Sequence, residues 1–123
     1  MIDDQLFLLL ALEAQLAPAG IVTEFREGGQ AALNLLVSLV QRNEPLFRVI
    51  LCDYSMPEMD GVTTAKKIRE LYSVARRPQP FIACCSAYSK ETIGEAVLSA
   101  GMNKVYDKPL NAEQIHEIAE YIA

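Results

Sequence analysis

Apolar runs of strand length alternate along this chain with longer stretches of helical periodicity. Gln5 to Leu16 reads as a helix stopped by Pro18 and Gly20. Ile21 to Arg26 is a short run rich in β-branched residues, and Gly28 and Gly29 form a turn after it. Gln30 to Gln41 is helical, with Ala32, Leu35, Leu36 and Leu39 on one face. Asn43, Glu44 and Pro45 break that helix, and Val49 to Cys52 is an apolar strand that ends on Asp53. A loop with Pro57 and Gly61 leads to a helix over Thr63 to Tyr72. Phe81 to Cys85 is the next apolar strand, and Ser89 is placed to cap a helix that runs to Ala100 and stops at Gly101. Lys104 to Tyr106 is a short strand before Pro109. Asn111 and Gln114 have the spacing of a capping box for a last helix, whose apolar face is Ile115, Ile118 and Ile122.

Strands without polar alternation, separated by helices, imply a parallel sheet covered on both faces, an α/β fold. Residues 1–123 are one domain by size, with no repeat or low-complexity stretch. An initial strand should precede Asp3, yet only Met1 and Ile2 stand there.

Composition narrows the function classes. The chain is 51% hydrophobic and 22% charged with a net charge of −5, which fits a globular domain and argues against direct nucleic-acid binding. The three cysteines, Cys52, Cys84 and Cys85, sit inside apolar runs without metal-ligand spacing, and read as small buried hydrophobes. The apolar run Leu6 to Leu12 is far short of the roughly 20 residues of a membrane span. It reads as core, with a dimer or domain contact as the alternative. Asp3 and Asp4 stand where a signal peptide would carry positive charge, so the cytosol is the expected location.

Polar groups cluster where apolar strands should stop: Asp3 and Asp4, Asp53, Ser86, and Lys108. In a doubly wound sheet the carboxyl ends of the strands line one crevice, so these residues converge. Three carboxylates that close repel one another, and one lysine does not balance them. A hard divalent cation does, and Mg²⁺ suits carboxylates plus phosphate oxygens. A carboxylate in that setting can act as nucleophile toward an activated phosphoryl group. Lys108 would neutralise one phosphoryl oxygen, and Ser86 would donate a hydrogen bond to another.

At this point the residues match a known family. The segment Val49-Ile-Leu-Cys-Asp53-Tyr-Ser-Met-Pro57-Glu-Met-Asp60-Gly61 resembles the phospho-acceptor segment of response-regulator receiver domains, of the CheY-like superfamily of two-component signalling. Cys85-Ser86-Ala87, Ala100-Gly101-Met102 and Asp107-Lys108-Pro109 match as well, so the resemblance spans nearly the whole chain. It implies a (βα)₅ flavodoxin-like three-layer sandwich with sheet order 2-1-3-4-5 and, here, a truncated first strand. Asp53 would be the phospho-acceptor. Asp3, Asp4, Asp53 and the backbone carbonyl of Ser55 would hold Mg²⁺. Ser86 and Lys108 would contact the phosphoryl group, and the Lys108–Pro109 bond would be cis. The donor would be a histidine kinase or a histidine phosphotransfer protein. Asp60 and Gly61 read as an N-cap and a turn, and His116 as a surface residue.

Two departures matter. The family carries an aromatic residue three positions before the lysine, where this chain has Val105. Tyr106 follows it, on the opposite face of a strand. The missing start of the first strand is the second departure. It predicts a first strand of about three residues, and leaves a homodimer or strand exchange open as compensation. A surplus of residues around Arg42 to Phe47 reads as an insertion. The expected function is phosphoryl acceptance that switches conformation to control an output. The chain would catalyse only its own phosphorylation, as a stand-alone regulator or as the receiver of a hybrid sensor histidine kinase. The late start and bare C-terminus favour the second. The alternative is a pseudo-receiver that keeps the fold as an interaction module. An aspartyl phosphatase is disfavoured because Ser55 stands where a second acid is expected, and a flavin-binding protein lacks a phosphate-cradling loop.

Overall fold

Three apolar segments pair as a parallel sheet: β1 (Val49–Asp53), β2 (Phe81–Ser86) and β3 (Lys104–Asp107), in the order β1-β2-β3. The computed structural model describes residues 1–3, 13–14, 16–20, 23–87, 90–107 and 110–122. Val49 lies opposite Phe81 and Asp53 opposite Cys85, while Ala83 lies opposite Lys104 and Ser86 opposite Asp107. Among the described residues, α1 (Gly29–Gln41), α2 (Gly61–Val74), α3 (Lys90–Ser99) and α4 (Ala112–Ile122) connect and cover the strands.

The opening residues complete the sheet. Ile2 forms a parallel bridge to Cys52 on one side and to Arg26 on the other. The spatial order is therefore Arg26, Ile2, β1, β2, β3, which is the 2-1-3-4-5 arrangement in chain order. The first strand is as short as the sequence implies. The second is shorter than expected. Over Ile21 to Arg26 the pattern predicts a strand, but among the described residues of that segment only Arg26 is bridged. A strand exists only as far as its neighbour does, and the neighbour offers one bridging residue.

Period-two alternation sorts the strand residues onto two cores. Ile50, Cys52, Ile82, Cys84 and Val105 face one layer, where Leu33 and Leu36 of α1, Ile68 and Tyr72 of α2, and Ile93 and Val97 of α3 meet them. Leu51, Ala83, Cys85 and Tyr106 face the other, with Leu16 and with Ile118 of α4. Both faces of the sheet are thus dry. The three cysteines are buried as strand residues, and burial pushes the Cys52 thiol far up from its ordinary value.

Local chemistry sets the helix ends. Asp60 accepts a hydrogen bond from the Thr63 N–H at 2.7 Å and caps α2. Asn111 and Gln114 form the reciprocal capping box of α4, at 3.0 and 2.8 Å. Gly101, at φ 89°, lets the chain leave α3 in the left-handed conformation. The buried face of α1 is rotated from expectation. Gly29, Ala32, Leu33 and Leu36 are buried, while Leu35 and Leu39 are only half-buried. The rotation follows from Gly29 seating against Thr64 of α2, a contact that no helical period encodes. Gly61 is likewise the first residue of α2 and not a turn. The Leu6 to Leu12 run and Ser89 lie outside the described residues.

Candidate functional site

All strands run parallel, so their carboxyl ends share one edge of the sheet. Asp53 ends β1, Ser86 ends β2 and Asp107 ends β3. Asp3 joins them because Ile2 sits in register with Cys52. The Asp53 N–H donates to the Ile2 carbonyl at 2.8 Å, which places Asp3 beside Asp53 across one strand spacing. Asp3 is 2% exposed and Ser86 is 1% exposed, while Asp53 is half-buried. Two carboxylates from different strands and a buried hydroxyl therefore lie at one edge.

The loop after β1 holds the Asp53 carboxylate. Asp53 Oδ1 accepts a hydrogen bond from the Tyr54 N–H at 2.9 Å. The Gly61 N–H donates to the Tyr54 carbonyl at 2.8 Å and closes the loop. Within it, Met59 N–H donates to the Pro57 carbonyl at 2.7 Å, and Glu58 sits at φ 67°. Met56 is buried in the core and anchors the loop from below. Ser55 is exposed on the same loop. The Met-Pro-Glu-Met-Asp-Gly signature is thus the covalent form of one tight turn that returns the chain to Asp53.

The structure brings Asp3, Asp53, Ser55 and Ser86 of the sequence-derived set to this end of the sheet. Asp4, Lys108 and the Lys108–Pro109 bond lie outside the described residues. Among the described residues no group of three His, Cys, Asp or Glu side chains gathers as a metal cluster. Asp3 and Asp53 alone supply two hard oxygen donors on adjacent strands, a donor set that suits Mg²⁺. Lys104 is engaged elsewhere. Its Nζ lies 2.5 Å from Glu117 Oε1, and that hydrogen bond holds the Glu117 carboxyl below its usual range. His116 is exposed and lies 3.1 Å from Glu120, on the polar side of α4 as expected.

Sequence reasoning missed the Tyr54 N–H contact and the close approach of Gly61 to the Asp53 backbone. The glycine in the signature was the available signal for the second. Val105 does face the α3 layer, and Tyr106 does face the opposite one. Tyr106 is 1% exposed, so its ring is a core element with no room to swing. Burial, with the Glu117 carboxylate nearby, pushes its phenol well up. Its buried hydroxyl is directed at the Glu117 carboxylate but meets no group in good hydrogen-bond geometry among the described residues. Tyr106→Phe is accordingly expected to leave stability unchanged or raise it by up to about 1 kcal/mol. A urea titration showing a loss of more than about 1 kcal/mol would contradict that reading.

Over residues 1–120 the sequence matches the family described as "Response regulator receiver domain". It is 29% identical over 119 residues to the chemotaxis protein CheY of Bacillus subtilis (strain 168), covering 95% of this chain and 89% of that protein. The fold is similar to the receiver domain of the histidine kinase CKI1 from Arabidopsis thaliana, solved with Mg²⁺ and BeF₃⁻. That likeness has a TM-score of 0.80 and 26% identity over 97% of this chain and 87% of that one. It is similar in fold also to a chain in the co-crystal structure of the Saccharomyces cerevisiae phosphotransfer protein Ypd1 with the Ssk1 receiver domain. There the TM-score is 0.78 and the identity 22%, over 98% of this chain and 85% of that one. No helix among the described residues is long and apolar enough to cross a membrane. With its parallel sheet, its two dry faces and its acidic edge at Asp53, the chain belongs to the response regulator receiver domain family of two-component signalling.

Proposed function

We propose that this domain accepts a phosphoryl group on Asp53 from a phosphohistidine donor, in the cytosol, with Mg²⁺ bound beside it. The observation that carries this reading is the half-buried Asp53 carboxylate at the sheet edge, flanked by buried Asp3 and held by the Tyr54 N–H. A carboxylate oxygen of Asp53 attacks phosphorus as the bond to the donor's imidazole nitrogen breaks, and the imidazole leaves with its electron pair. The cation, when bound, supplies charge neutralisation for the phosphoryl oxygens. Asp3, Asp4 and the Ser55 carbonyl would hold it together with Asp53. Ser86 would donate to a phosphoryl oxygen, and Lys108 would balance its charge.

Structures of related receivers support the partner class. CKI1 is a histidine kinase whose receiver was solved with Mg²⁺ and BeF₃⁻, and Ssk1 was solved with a phosphotransfer protein. A histidine kinase or a histidine phosphotransfer protein is the donor that fits. A second reading, a pseudo-receiver that binds partners without a phospho-switch, is favoured by one observation. Val105 occupies the face toward α3 where the family carries an aromatic reporter.

Incubation with Mg²⁺ and acetyl phosphate, followed by intact mass, separates the readings. A phosphate adduct is expected on the parent chain, lost on chelation of Mg²⁺ and absent in Asp53→Asn. An adduct that persists in Asp53→Asn sinks the site assignment. No adduct on a folded parent chain, together with failure to bind beryllofluoride, selects the pseudo-receiver.

A further inference from the structure

At the amino-terminal ends of β1 and β2, the far end of the sheet from Asp53, lies a cleft of about 610 Å³. Small-ligand sites span roughly 300–1,000 Å³, so the size fits one. Pro45, Leu46 and Phe47 line it from the surplus segment between α1 and β1. Arg77 and Pro78 line it from the turn after α2, and Phe81 of β2 and Tyr121 of α4 complete the aromatic surface. Tyr72, 1% exposed, donates its hydroxyl to the Phe47 carbonyl at 2.9 Å, which ties the surplus segment to α2.

The charge of the cleft opposes that of the chain. The chain carries 16 acidic residues against 11 basic ones. The cleft is lined by Arg48 and Arg77, and none of the described residues that line it is acidic. Arg77 is half-buried and held in place. Its N–H donates to the Tyr72 carbonyl at 2.9 Å, and its Nη1 to the Glu44 carbonyl at 3.0 Å. Both partners are neutral, and among the described residues no carboxylate pairs with this guanidinium. Most of its five donors are left for an anion, and a guanidinium fork fits a carboxylate best.

The rest of the lining selects a ring. The Phe81 and Tyr121 rings stack with centroids 3.8 Å apart and planes 15° from parallel, yet Tyr121 stays 46% exposed. Such a pair offers aromatic surface to a further planar group. Two lining groups that a peptide would use are already taken. The Arg48 carbonyl accepts from the Phe81 N–H at 2.8 Å. The Gln79 Nε2 donates to the Arg69 carbonyl and to Ser73 Oγ, both at 2.9 Å. We propose that this cleft is a binding site for a small planar aromatic carboxylate, with the carboxylate on the Arg77 guanidinium and the ring against the Phe81–Tyr121 stack. The site is separate from Asp53 and does not depend on phosphoryl acceptance.

The test titrates the isotope-labelled chain with cinnamate and follows the amide resonances, with the neutral cinnamamide as the counterpart. Shifts are expected at Leu46, Arg77, Gln79 and Tyr121, saturating with a Kd of about 1 mM or below. Cinnamamide should bind at least about five-fold more weakly, since it cannot form the ion pair. Arg77→Gln and Tyr121→Ala should each weaken cinnamate by at least about five-fold, with the resonances away from the cleft unmoved. Arg77→Gln also removes the bond to the Glu44 carbonyl, so Tyr121→Ala, at an exposed helix end, decides the matter if the first variant does not fold. Cinnamamide binding as tightly as cinnamate overturns the proposal. So do an absence of shifts at about 5 mM cinnamate, and shifts that gather instead around Leu16, Leu36 and Ile118, which line a different cavity.

Discussion

Gly61→Ala is expected to destabilise the domain by on the order of 3 kcal/mol or more, and to slow phosphoryl uptake at temperatures where the variant is still folded. A Cβ at this position would stand 2.1 Å from the Asp53 carbonyl oxygen, 3.0 Å from its carbonyl carbon and 3.1 Å from the Tyr54 Cα. All three are backbone atoms, so no side-chain rotation relieves the overlap. The helix start cannot retreat cheaply either, because the Gly61 N–H is bonded to the Tyr54 carbonyl and Asp60 caps the same turn. Gly61 is not held in the left-handed region. Its need for glycine is therefore close approach alone, and any side chain should fail alike. The strain falls on Asp53 and Tyr54, whose N–H donates to the Asp53 carboxylate. Urea titration gives the stability, and uptake from acetyl phosphate at low temperature gives the chemistry. A variant within about 1 kcal/mol of the parent, with unchanged uptake, would show that the loop yields where this structure says it cannot.

Arg69→Ala should cost about 2–4 kcal/mol of stability while sparing the acceptor chemistry. Arg69 projects from α2 toward the turns that precede β2 and β3, at the opposite end of the sheet from Asp53. Its Nε and Nη2 donate to the Gly101 carbonyl at 2.9 and 2.6 Å, and Nη2 also reaches Asn103 Oδ1 at 2.8 Å. Nη1 donates to the Pro80 carbonyl at 2.5 Å and to Gln79 Oε1 at 3.2 Å. Asn103 in turn accepts from the Ile82 N–H at 2.8 Å, so one guanidinium ties α2 to the entries of two strands. Part of the group is solvated, which tempers the loss. Arg69→Lys keeps the charge but not the fork, and should recover less than half of the loss. Denaturation midpoints for the two variants decide this. Lysine matching arginine would mean that charge, and not geometry, holds the turns.

The two substitutions separate two jobs of one helix. The amino end of α2 presses on the Asp53 backbone and tolerates no side chain. Further along, Arg69 clamps loops that have no part in the chemistry. A variant library read only for stability would not distinguish them; uptake measured beside stability would.

Much of the site was legible because its signals are local. Asp53 follows an unbroken apolar run, and the Met56 to Gly61 signature encodes a turn, a cap and a close approach within a few residues. The capping box at Asn111 and Gln114 and the stop at Gly101 are equally local, and both are present in the structure. The opposed faces of Val105 and Tyr106 follow from strand alternation alone. The rotated face of α1 was not legible, because helical period names a stripe but not what the stripe meets. The short second strand was not legible either. Val22, Thr23 and Phe25 have strand character, but a strand is a property of a pair.

By itself, then, the sequence determined the order of the described elements, the two-sided burial of the strands and the acidic edge at Asp53. Each rests on residue type and near-neighbour spacing, which fix backbone preference and burial. Only the tertiary structure decided that Ile2 bridges Arg26 on one side and Cys52 on the other, and that Gly29 meets Thr64. It alone decided that Arg69 spans three segments. These depend on distances between residues far apart in sequence, which are set when packed layers settle against one another.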